Sequence, residues 1–128
     1  IVMGGNVAFI HASRNIIDWS KEIRPIQTHS LDEKLGYNII FGALSAPLRQ
    51  IVENSGGKPD IIINEIRKSK GLTTGYNALD NTVVEDMYSL GIIDAVKVVK
   101  AVLNYAVSEA AIFLSIGGDI SEEVKDGD

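Results

Sequence analysis

A chain of 128 residues with 12 Lys+Arg against 17 Asp+Glu is one domain, or part of a larger one, with a net charge of −5. Its 45% hydrophobic and 23% charged residues are globular composition and exclude a disordered tail. Net acidity argues against a nucleic-acid partner, which needs a basic footprint, and the absence of Cys excludes disulfides, thiolate zinc sites and thiol catalysis.

The first predicted helix opens at Gly4-Gly5-Asn6 and runs to about Trp19, with Phe9, Ala12, Ile16 and Trp19 as its buried stripe and Asn6 as its cap. A polar linker broken by Pro25 follows. The second helix begins at Ser30-Leu31-Asp32-Glu33, where Ser30 and Glu33 form a capping box. Its apolar positions run Leu35, Ile39, Ile40, Ala43, Leu44, Leu48, Ile51 and Val52. Pro47 removes a backbone donor inside that pattern and predicts a kink or break near Ser45. Asn54-Ser55-Gly56-Gly57 ends it.

The third helix starts at Pro59-Asp60, presents Ile62, Ile63 and Ile66, and is loaded with Arg67 and Lys68 at its C-terminal end. Gly75 to Ala78 and Thr82 to Val84 are the arms of a small hairpin, with Leu79-Asp80-Asn81 as its turn. Glu85 to Leu90 is expected to form one helical turn. The fourth helix, about Ala95 to Ser115, has one narrow polar stripe at Lys97, Lys100, Asn104 and Ser108 and is otherwise apolar. That pattern suits a central helix covered by several neighbours. The fold class expected is mainly α, a helical bundle with a small β-hairpin. No membrane partner is expected, because the longest charge-free runs fall short of the roughly 20 apolar residues that a bilayer crossing needs.

A mean hydropathy of +0.12 is high for so small a soluble chain. A domain of this size buries only about two-thirds of its unfolded surface. Some of this apolar sequence is therefore expected to meet another chain, or a part of the protein outside this sequence. The start at Ile1-Val2-Met3 fits a cut from something longer.

The chemistry is sparse. His11 and His29 stand in no metal-binding spacing and are expected to be structural, and no Walker-type phosphate loop is present. Gly4-Gly5 either packs closely or lets a ligand approach the backbone. Asn77 either stabilises a turn or binds sugar hydroxyls, and Asp94 either caps a helix or does the same.

The run Ala46-Pro47-Leu48-Arg49-Gln50-Ile51-Val52 with Asn54 and Gly56 resembles group I chaperonins of the GroEL type. So do Gly75-Tyr76-Asn77-Ala78, Gly91-Ile92-Ile93-Asp94 before a Val/Ala-rich helix with Asn104-Tyr105-Ala106, and the opening Gly4-Gly5-Asn6-Val7-Ala8. The order of these blocks agrees along nearly the whole chain. The resemblance implies the C-terminal half of an equatorial, ATP-binding domain, residues 1–128, in a subunit that assists protein folding within a ring. Gly5 would lie against ribose and phosphates, Asn77, Ala78 and Leu79 would line the adenine pocket, and Asp94 would accept from ribose hydroxyls.

The family's phosphate loop, magnesium ligand and hydrolytic aspartate lie upstream, so magnesium would be held by residues outside this chain, and the chain alone should not hydrolyse ATP. Unfolded proteins and a co-chaperonin would be the partners, through other domains, and the assembly a homo-oligomer. The compartment implied is bacterial cytoplasm or the interior of a mitochondrion or plastid. Asn6 stands where the family has a third glycine, Leu79 where it has a small residue, and Ala95 where it has a proline. A divergent helical assembly module without nucleotide chemistry is the alternative.

Overall fold

The computed structural model describes residues 1–14 and 30–116. The elements are β1 (Val2–Met3), α1 (described over 7–14), α2 (Leu31–Ala43), α3 (Ala46–Asn54), α4 (Pro59–Lys68), β2 (Gly75–Asn77), β3 (Thr82–Val84), β4 (Ile93–Asp94) and α5 (Val96–Ser115). The chain is mainly helical with two small antiparallel pairings, β2 with β3 and β1 with β4. Residues 1–96 form one compact unit, and α5 from Lys97 onward belongs to a second.

The expected break at Pro47 is present. Leu44 and Ser45 separate α2 from α3, and Pro47 sits in the first turn of α3, where its missing N–H costs nothing. The capping box is also formed: Glu33 N–H donates to Ser30 Oγ at 3.2 Å and Ser30 N–H donates to Glu33 Oε2 at 2.9 Å. The core gathers Met3, Val7, Ile10, Leu48, Val52, Ile63, Ile66, Tyr76 and Met87. It thus takes the apolar faces of α1, α3 and α4 and the hairpin, as the helical spacings predict for α3 and α4.

Three expectations are corrected. Ala12 is exposed, and α1 buries Val7, Phe9, Ile10, His11 and Ser13; Ile16 and Trp19 lie outside the described residues, as do the Pro25 linker, His29 and the acidic tail. α2 has no buried residue, so Leu35, Ile39 and Ile40 do not reach the core. Glu85 to Leu90 is a hydrogen-bonded turn and not a helix: Tyr88 N–H donates to Asp86 Oδ1 and Ser89 Oγ to the Asp86 carbonyl, a local competition that acidic turn residues win readily.

α5 has 20 residues, none of them buried. By length and composition it is also long and apolar enough to cross a membrane. Lys97, Lys100 and Glu109 interrupt its charge-free runs, but a few charges do not disqualify a helix, and a core helix of a soluble protein has the same composition.

Candidate functional site

The candidate residues lie on or beside two short ladders of the first unit, β1–β4 and β2–β3. β1 and β4 pair with Val2 opposite Asp94 and Met3 opposite Ile93, and Gly4 N–H extends the ladder by donating to the Ile92 carbonyl at 2.9 Å. This pairing, which no periodicity announces in strands of two residues, carries Gly4-Gly5 to the Asp94 strand.

The two glycines then divide the alternatives between them. A Cβ on Gly4 would stand 3.0 Å from Ile93 N and 3.1 Å from the Ile92 carbonyl carbon, so Gly4 is a packing glycine. Gly5 has φ +63° and open space around its missing side chain, with Ile51 Cδ1 the nearest atom at 3.9 Å. Asn6 follows at φ 60°, the left-handed region that Asn tolerates better than most residues, and not the extended geometry of an N-cap. The result is a glycine turn with accessible backbone immediately before α1. Such a turn is a cradle that a side chain would fill.

Asn77 ends β2 and its amide closes the hairpin turn. Oδ1 accepts from Leu79 N–H at 3.0 Å, and Nδ2 donates to Asp80 Oδ2 at 2.8 Å. This is the turn-stabilising role; one N–H and one lone pair of the amide remain for a ligand. Ala78 is exposed and Leu79 is 89% exposed, so the turn presents them outward. Asp94 is half-buried, and among the described residues its carboxylate has no hydrogen bond or ion pair. A carboxyl group without a partner in a two-residue ladder is available to hydroxyl donors.

α3 links the two parts. Ile51 underlies Gly5, and Ser55, four residues on, meets the hairpin at Tyr76. Residues at this spacing share a helix face about one turn apart. The glycine turn and the hairpin are therefore both seated on the same side of α3. The structure thus places Gly5 just past one strand of the β1–β4 ladder and Asp94 on the other, opposite Val2, and anchors the Asn77–Leu79 turn to the helix beneath Gly5.

His11 is apart from this and structural, as expected. Its Nε2 lies 2.7 Å from the Thr74 carbonyl, which can only accept. Nε2 therefore carries the proton, and Nδ1 accepts from Arg14 Nη2 at 3.4 Å. Arg14 Nη1 also donates to the Ser69 carbonyl at 2.5 Å. Two cavities of about 390 and 420 Å³ are lined by Ser13, Arg14 and Arg67 in one case and by Ser69, Thr74 and Glu85 in the other; no candidate residue borders either.

Residues 1–122 match the model of the TCP-1/cpn60 chaperonin family. The chain belongs to that family. It is 38% identical over 126 residues to the chaperonin GroEL of Orientia tsutsugamushi (strain Ikeda), covering 98% of this chain and 21% of that one. It is 40% identical over 124 residues to chaperonin GroEL 3 of Acaryochloris marina, covering 96% of this chain and 22% of that one. Over 115 residues it is 42% identical to the chloroplastic chaperonin GroEL of Cyanidium caldarium, covering 90% and 20%. The open-state monomer of a group II chaperonin from Methanococcoides burtonii superposes with a TM-score of 0.76 at 22% identity, over 91% of this chain and 28% of that one, and so shares the fold. This chaperonin chain spans about a fifth of the length of the curated relatives it matches.

Proposed function

We propose that this chain is the C-terminal half of a chaperonin equatorial domain, and that it supplies the adenine and ribose side of an ATP site. The observation that carries the proposal is the Gly5 turn: open, left-handed, and tied through β1 and β4 to a carboxylate, Asp94, that the described residues leave without a partner.

The residues fit a nucleotide. Gly5 would let sugar and phosphate approach main chain that a Cβ would block. Asp94 would accept from the ribose hydroxyls, and the Asn77–Leu79 turn would lie along the base. Bound ATP would supply the free energy that moves distant domains of a ring subunit, with magnesium and the hydrolytic group provided from outside these residues. Unfolded proteins and a co-chaperonin would be handled by those other domains, inside a bacterium or an organelle. The runner-up reading is an assembly module without nucleotide chemistry; the large, exposed Leu79 in the base-lining turn favours it.

Calorimetric titration of the complete protein with ATP separates the two readings. Asp94→Ala should weaken binding by about 1.5–3 kcal/mol, the range for a hydrogen bond to a charged group. A 2′,3′-dideoxy nucleotide should bind wild type and variant alike. Equal ATP affinity in wild type and variant would remove Asp94 from the site, and no binding by wild type would favour the assembly module.

A further inference from the structure

The hairpin is held on α3 by a closed ring of polar side chains. The Tyr76 hydroxyl donates to Asn81 Oδ1, an amide oxygen that can only accept. Ser55 Oγ lies 2.6 Å from the Tyr76 oxygen and shares its one proton between that oxygen and the Val52 carbonyl at 2.9 Å. Asn81 Nδ2 closes the ring by donating to the Ser55 carbonyl at 2.7 Å. Such hydrogen-bonded chains polarise and strengthen their members. Two backbone features exist to let it close. A Cβ on Gly57 would stand 2.7 Å from Val52 Cγ1, 3.1 Å from the Tyr76 hydroxyl and 3.2 Å from Asn81 Oδ1. Asn81 itself is at φ 55°.

The ring members flank the turn. Tyr76 immediately precedes Asn77, and Asn81 is the last residue before β3. The internal bonds of Asn77 shape the turn but do not fasten it to anything else. We propose that Ser55, Tyr76 and Asn81 are positioning residues that fix the Asn77–Leu79 turn at the height and tilt an adenine base requires. The proposal rests on the nucleotide reading above and adds residues that touch no part of the ligand.

The test uses the complete protein, titrated separately with ATP and with tripolyphosphate in the presence of magnesium. Tyr76→Phe keeps the aromatic packing and opens the ring. Asn81→Gly keeps the left-handed backbone and removes both bonds. Each variant should bind ATP about 5- to 10-fold more weakly, the loss expected for one or two hydrogen bonds acting through the turn. Tripolyphosphate, which has no base, should bind as in wild type. If wild type binds ATP and both variants match it, the proposal is overturned. An equal loss for ATP and tripolyphosphate overturns it too, since that signals general loosening. Failure of wild type to bind ATP overturns the nucleotide reading first, and the proposal with it. If Asn81→Gly does not fold, Tyr76→Phe decides the matter alone.

Discussion

Gly4 and Gly5 are neighbours with opposite duties, and substitution should tell them apart. Gly4→Ala pushes a methyl group into the backbone of Ile92 and Ile93, which cannot step aside without breaking the β1–β4 ladder. It should lower the thermal unfolding midpoint sharply. Gly5→Ala meets no atom closer than 3.9 Å but must hold a left-handed φ, at about 1–2 kcal/mol. Its larger effect should fall on ATP affinity, because the added methyl occupies the cradle. Melting curves and nucleotide titrations on both variants check the contrast. Sequence alone left the pair undivided, since both glycines satisfy the same motif and only the strand beside Gly4 separates them.

The exposed pair Arg49 and Asp60 makes a different residue-scale prediction. Arg49 Nη2 donates to Asp60 Oδ1 at 2.5 Å, joining α3 to the first turn of α4. That hydrogen bond, and then the guanidinium charge, hold the Asp60 carboxyl below the usual carboxylate range. Because the folded value is depressed, the pair's stabilisation is complete above the unfolded carboxylate's pKa, about 3.9. It fades as pH falls through the lowered folded value. Asp60→Asn should therefore give a shallower acid-side decline in stability. High salt should shrink the difference between variant and wild type, because the pair is open to solvent. Denaturant melts from pH 2 to 7, at low and high salt, measure both effects.

At the scale of elements, Gly75 and Met87 show how closely the hairpin is fitted. A Cβ on Gly75 would lie 1.7 Å from Met87 Sδ, and Met87 is completely buried and fastened by its N–H to the Thr73 carbonyl at 3.1 Å. Gly75→Ala should destabilise the domain by about 1–3 kcal/mol, the usual cost of overpacking. A smaller side chain at Met87 should recover part of it in the double variant, and chemical denaturation reads the coupling. The elements with local signals were legible: the Ser30 box, the Pro47 break, the Pro59 start and the hairpin arms are written in neighbouring residues. What was not legible depends on distant partners. β1 and β4 are two residues each and some ninety apart in sequence, too short for any period. The exposure of Leu35, Ile39 and Ile40 could not be read from α2's own pattern, because spacing shows that a stripe exists and not what covers it. The Ser55–Tyr76–Asn81 ring likewise joins residues whose types are ordinary and whose spacing carries no motif.

For the whole molecule, the apolar surface of α5 decides behaviour in solution. Val98, Val102, Val107, Ile112 and Phe113 are each at least 49% exposed. Burying one such side chain is worth about 1.5–3 kcal/mol. The chain of residues 1–128 should therefore self-associate, with copies covering one another's α5. Light scattering over a concentration series should show mass rising with concentration, and a monomer that binds no hydrophobic dye would contradict this. The same chain should show no ATP turnover above background in a phosphate-release assay, since it carries no phosphate loop.

In the proposed site, the turn of the β2–β3 hairpin faces the base of a bound nucleotide. Photolabelling the complete protein with 8-azido-ATP, and mapping the adduct by peptide mass spectrometry, tests it most directly. Covalent label is expected within residues 75–81, abolished by excess ATP and reduced in Tyr76→Phe. Label that competes with ATP but maps only to other parts of the protein would contradict it.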